Sequence, residues 1–160
     1  MRKGQLIGQI FIYIIAIILV AFILGYGYKA VVSFRQKSEQ VSYIKFKTEL
    51  QNAVETITSD FGSVKVIDLS VPRNFERVCL VKSYPSLPTL SGTNNPIIED
   101  SVNSGVERNV FLVENIAKDS FYVGKIDVSP DLYCVDIVSG IVRLRLEGKG
   151  DHTLISNASP

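Results

Sequence analysis

One histidine, two cysteines and a few neighbouring acidic residues are the side chains of this chain most suited to chemistry. His152 follows Asp151, an order in which a carboxylate could orient an imidazole as a general base. It stands close to the C-terminus behind a Gly148-Lys149-Gly150 turn, and reads as a solvated loop residue. That glycine turn lacks the spacing of a phosphate-binding loop. Glu99-Asp100 and Lys118-Asp119 fall in irregular stretches and read as surface charge. Cys79 and Cys134 are too few and too far apart for a structural zinc site. The chain is therefore expected to be no enzyme and to carry no cofactor or metal. Seventeen basic residues against sixteen acidic ones leave no basic excess for a nucleic-acid partner.

The elements that must position these residues begin with Gly4–Tyr28, 25 residues without a charge, preceded by Arg2 and Lys3. Roughly 20 apolar residues cross a bilayer core of about 30 Å as a helix. Leu6–Leu24 has that length and holds 14 residues of the Leu, Ile, Val and Phe types. At about −0.3 to −0.6 kcal/mol each, they favour insertion by roughly 4 to 8 kcal/mol. Membrane lipid is thus an expected partner. Lys29, Arg35 and Lys37 follow the helix as Arg2 and Lys3 precede it, so charge alone leaves the orientation open.

Three fates fit this N-terminus. A cleaved secretory signal would use Gly25-Tyr26-Gly27 as its small-residue site, behind an apolar run longer than such signals carry. A plain uncleaved anchor needs only hydrophobicity. The third comes from Met1-Arg2-Lys3-Gly4-Gln5, which resembles the prepilin signal of archaeal type IV pilins and related filament subunits. The resemblance covers the leader, the apolar helix and the plan of helix followed by β head. It implies that residues 1–4 are a leader, cut by a prepilin peptidase between Gly4 and Gln5. It also implies that Leu6, Ile10, Ile14, Ile17 and Phe22 belong to a filament or membrane core shared with other pilin-like subunits. The chain departs from the family at the fifth mature position, often a glutamate, where it has Gln9. An amide cannot neutralise the α-amine of a neighbouring subunit in an apolar bundle. The departure favours a minor subunit, a pseudopilin or a pilin-derived anchored protein over a major pilin.

Beyond Tyr28 the helix is expected to continue through residues 29–61 as an amphipathic stretch. Phe46, Leu50, Ala53, Ile57 and Phe61, with Val54 beside them, form one apolar stripe. Gly62 suits the position just past a helix end. The stripe is expected to pack on the chain's own head rather than on a coiled-coil partner, since heptads are not sustained.

After Gly62 the pattern changes to short β-rich runs separated by turn signals. Seven strands are predicted: 64–69, 77–82, 109–114, 121–128, 132–138, 141–147 and 153–156. The expected class is α+β, a long N-terminal helix followed by a small antiparallel sandwich-like head over 62–160. A two-residue turn at Ser139-Gly140 predicts a hairpin pairing Val135 with Leu144 and Asp136 with Arg143. Val135, Ile137, Val142 and Leu144 then face the core, and Cys134 lies on the opposite face, across from Arg145. With Val78 and Leu80 inward, Cys79 lies on that second face too. The cysteines could pair there as a disulfide, closing a loop for which chain entropy suggests about 4 kcal/mol; two separate buried thiols are the alternative. Residues 83–108, with three prolines, are predicted to be irregular, with apolar anchors against the sheet and a surface suited to recognition.

Two functions of different class follow. One is a structural subunit of a pilus-like surface filament, processed at its leader. The other is a monomeric single-pass protein displaying an extracellular binding head.

Overall fold

The computed structural model describes residues 5–158, with side chains from Ile10 apart from those of residues 35 and 36. Helix α1 runs Gln5–Thr58. Its residues up to Gln40 form one compact unit, and Val41 onwards belongs to a second that contains all the strands. The architecture is α+β, one long N-terminal helix and two small, mostly antiparallel sheets.

In the second unit the strands are β1 (Val64–Ser70), β2 (Arg77–Val81), β3 (Val110–Val113), β4 (Ala117–Phe121), β5 (Ile126–Val128), β6 (Leu132–Asp136), β7 (Ile141–Gly148) and β8 (Thr153–Asn157). A short helix α2 (Pro96–Asn103) lies between β2 and β3. One sheet has the order β1-β7-β8-β5, the other β4-β3-β2-β6. All pairings are antiparallel except β5 with β8.

The main core joins both sheets to the α1 stripe. Leu144 and Leu146 of β7, Val78 and Leu80 of β2 and Ile126 of β5 meet Phe46, Leu50, Val54 and Ile57. The Phe46 and Phe121 rings meet edge to face at 5.9 Å, a preferred aromatic geometry. At about 1.5–3 kcal/mol for each buried apolar side chain, the four helical residues contribute roughly 6–12 kcal/mol. The exposed Lys45–Glu49 pair on the same helix is worth about 0.3–0.5 kcal/mol, so burial decides the packing. A second cluster lies on the other face of the β2–β3 sheet, where Ile98 and Val102 of α2 cover Cys79, Val81, Phe111 and Val113.

Several sequence expectations are corrected. The helix ends at Thr58 rather than Phe61, and Phe61 is exposed instead of completing the stripe. The cause is the β7 end: a Cβ on Gly148 would fall 2.1 Å from the Ile57 carbonyl oxygen and 2.2 Å from that of Asp60. There the Thr58 carbonyl accepts from the Gly150 N–H, capping the helix with backbone from the β7–β8 turn. Gly62, with φ of +80°, serves the turn into β1 instead of the helix cap. The predicted strand 121–128 is two strands in different sheets, because the chain crosses between them at Gly124, whose φ is +112°. Ala117–Phe121 forms an edge strand that its polar residues do not advertise. The 83–108 stretch contains α2, which the prolines obscured.

The hairpin is right only at its tip. Ser139 and Gly140 both have positive φ, and Val138 and Ile141 exchange two hydrogen bonds of 3.0 Å. Further pairing is impossible because β1 and β8 already occupy both sides of β7. Asp136 therefore lies opposite Arg77, and Arg143 opposite Asp68, which it grips through two hydrogen bonds of 2.6 and 2.9 Å.

Candidate functional site on the first helix and in the bridged head

In the first unit α1 has no polar side over its apolar run. Ile10, Phe11, Ile12, Tyr13 and Ile14 are consecutive, span more than one turn, and are all exposed. The same holds for each large apolar side chain through Phe34. Such a helix is suited to lipid or to a bundle, whereas one lying flat on a surface needs a charged face. Twelve Leu, Ile, Val and Phe side chains between Ile10 and Leu24 are 42–69% exposed. At about half the value of full burial each, they represent roughly 9–18 kcal/mol of unrealised apolar burial. That is as large as the stability of a whole domain, about 5–15 kcal/mol, so water is the wrong surrounding for this helix. Among the described residues it is the one helix long and apolar enough to cross a membrane. Tyr26 and Tyr28 follow the run and precede Lys29, an order found where a span meets the interface.

Of the residues expected to form a membrane or filament core, Ile10, Ile14, Ile17 and Phe22 are all exposed along this run. Gly4 of the expected cleavage site lies outside the described residues, and of Gln5, Leu6 and Gln9 only the helical backbone is described. Gly25 and Gly27 have space around them, since a Cβ at either would meet nothing within 4 Å.

In the head, Cys79 and Cys134 are directly opposite in the β2–β6 register and form a disulfide. The face alternation read from the sequence brought them together, although the partner strand is β2 and Arg145 is not across from Cys134. Cys79 is buried, and the bridge ties edge strand β6 into its sheet under α2.

His152 is not a solvated loop residue. Its side chain is 17% exposed and its ring stacks on Tyr84 with centroids 4.1 Å apart. Asp151 lies between them chemically, receiving the Tyr84 hydroxyl at 2.5 Å and sitting 2.6 Å from His152 Nδ1. The Tyr84 hydrogen bond, and then that of His152, hold the Asp151 carboxyl below its usual range. Asp151 in turn pushes the Tyr84 hydroxyl up. The cluster fastens the start of the 83–95 loop to the β7–β8 turn. A buried Asn109 amide fastens the same region, donating to Ser83 Oγ and the Gly124 carbonyl and accepting from the Val123 N–H. Neither clasp was legible in the sequence, because each joins residues far apart in the chain. Among the described residues no group of three or more His, Cys, Asp or Glu side chains is placed to hold a metal ion.

Comparison of the chain with protein-family models, with curated proteins and with solved structures finds no match.

Proposed function

We propose that this chain is a structural subunit of a type IV pilus-like surface filament, of minor-pilin or pseudopilin type, held by its N-terminal apolar helix and displaying the β head outside the cell. The observation that carries the reading is the helix exposed and apolar on all sides from Ile10 to Leu24. The Met1-Arg2-Lys3-Gly4-Gln5 leader, resembling a prepilin signal, adds the processing step, with a membrane peptidase as transient partner. A disulfide in the head suits an oxidising exterior rather than the cytosol. Gln9 in the place of an acid argues for a subordinate place in the filament.

The test is intact-mass analysis of the native protein together with electron microscopy of cell-surface material. The reading expects a mature chain beginning at Gln5 and immunogold label on filaments. An unprocessed N-terminus with a single-subunit mass in mild detergent overturns it. That result would select instead a monomeric, single-pass anchored protein with a binding head.

A further inference from the structure

The loop leading into α2 and the start of β6 enclose an open cleft of about 580 Å³. Its loop wall is built in advance. The Asn103 side chain clamps the Leu90 backbone, accepting from its N–H at 2.9 Å and donating to its carbonyl at 2.8 Å. The Glu99 carboxylate accepts from both the N–H and the hydroxyl of Thr93, at 3.2 and 3.1 Å. Beneath, Leu90, Leu132 and Cys134 pack in the second core cluster. A cleft whose walls are already ordered loses little entropy on binding.

One polar group in it is unspent. Asn95 precedes α2 at the capping position and is 93% buried by its 7% exposure, yet its side chain makes no capping hydrogen bond. Its amide has no hydrogen-bond partner among the described residues, yet no fully covered side-chain polar atom lacks one, so the amide keeps some access, and Asn95 lines the cleft. A primary amide there offers two donors and an acceptor in a confined, largely desolvated position. Around it stand the Arg77 guanidinium, which makes no ion pair among the described residues, and the Asp131 carboxylate, held 4.0 Å from Lys82. With the Arg77 guanidinium set against the Asp131 carboxylate, the cleft lining has no single sign of charge.

We propose that this cleft is a binding site for a neutral carbohydrate, with Asn95 as its principal ligand. Donors and acceptors of both kinds match hydroxyl groups, each of which donates and accepts, while Leu132 and the disulfide form an apolar floor for a sugar's C–H face. A phosphate or carboxylate ligand would meet the Asp131 carboxylate. The lining has no aromatic ring to stack on a pyranose, so single sugars bind weakly and affinity comes from repeated units.

Full-length protein in lauryldimethylamine oxide, a detergent without a sugar, is titrated with methyl glycosides of neutral hexoses, pentoses and N-acetylhexosamines under saturation-transfer NMR. At least one glycoside is expected to bind, with Asn95→Ala weakening it about tenfold or more. Asp131→Ala, at an exposed position, is expected to weaken it about threefold. A parallel arm uses neutral polysaccharide from the producing cell's envelope: tighter binding than the monosaccharides identifies an attached glycan as the source, and equal binding a free sugar. Absence of binding across the panel, undiminished binding by both variants, or preference for inorganic phosphate overturns the proposal.

Discussion

Replacing Phe46 with alanine separates the two roles assigned to α1. Phe46 is fully buried, packs edge to face on Phe121 and has the Tyr43 ring close by on the same partner. Truncating a buried phenylalanine costs about 3–5 kcal/mol, because the transfer energy of the ring is lost and a cavity is left. The second unit holds 120 residues, 41–160. With an unfolding entropy of about 2.1 cal/mol/K per residue, it loses roughly 4 °C in midpoint for each kcal/mol, so the drop should be about 12–20 °C. Ile44, two positions away on the same helix and 60% exposed, is the control, and its alanine variant should stay within about 0.5 kcal/mol. The assay is near-ultraviolet circular dichroism of full-length protein in micelles, which reads the tyrosines and phenylalanines of a chain without tryptophan. Membrane association of Phe46→Ala should match that of the parent. A midpoint within 2 °C of the parent, or equal losses from Phe46→Ala and Ile44→Ala, would refute the packing of this stripe in the head core.

Three further predictions follow from the head. The double variant Cys79→Ala/Cys134→Ala should lose about 4 kcal/mol by chemical denaturation, from the 55-residue separation the bridge closes; a loss under 1 kcal/mol would contradict it. Gly148→Ala should shift the midpoint down more than any surface alanine, since its Cβ would collide with two backbone carbonyls; an unchanged midpoint would show that β7 does not abut the helix end. Asp68, Asp151 and Glu147 are held below their ordinary values of 3.8, 3.8 and 4.5, chiefly by hydrogen bonds from Arg143, Tyr84 and Lys149. A depressed carboxyl contributes stability present above its unfolded value and lost as pH falls through the folded one, so the midpoint should decline below about pH 4.5. Asp151→Asn should flatten part of that decline, and identical acid profiles for parent and variant would count against the Tyr84–Asp151–His152 cluster.

What could be read from the sequence was what local period encodes. The 3.6-residue spacing of Phe46, Leu50, Val54 and Ile57 put one face of the helix in a core. The two-residue period put Val78 and Leu80 on one face and Cys79 on the other, and Val135 and Cys134 likewise, which is why the disulfide was foreseeable before its strand partner was known. Strand partnership itself is not local. The Ser139-Gly140 turn looks like a hairpin from either side, and only β1 and β8 flanking β7 prevent it. Helix α2 left a signal that the surrounding prolines outweighed: Pro96 sits in the first turn, where its missing N–H costs nothing, with Glu99 near the start and Ile98 and Val102 four apart. Asn95 and the Tyr84–Asp151–His152 cluster could not be read, since loop closure across tens of residues assembles both.

The most direct measurement is light scattering and sedimentation of the full-length protein, prepared with and then without detergent. With its apolar side chains from Ile10 to Phe34 needing lipid or other copies, the chain should sediment with membranes, require detergent to stay dispersed, and aggregate or assemble when detergent is removed. A clear, monodisperse solution of single chains without detergent would contradict the account at its root.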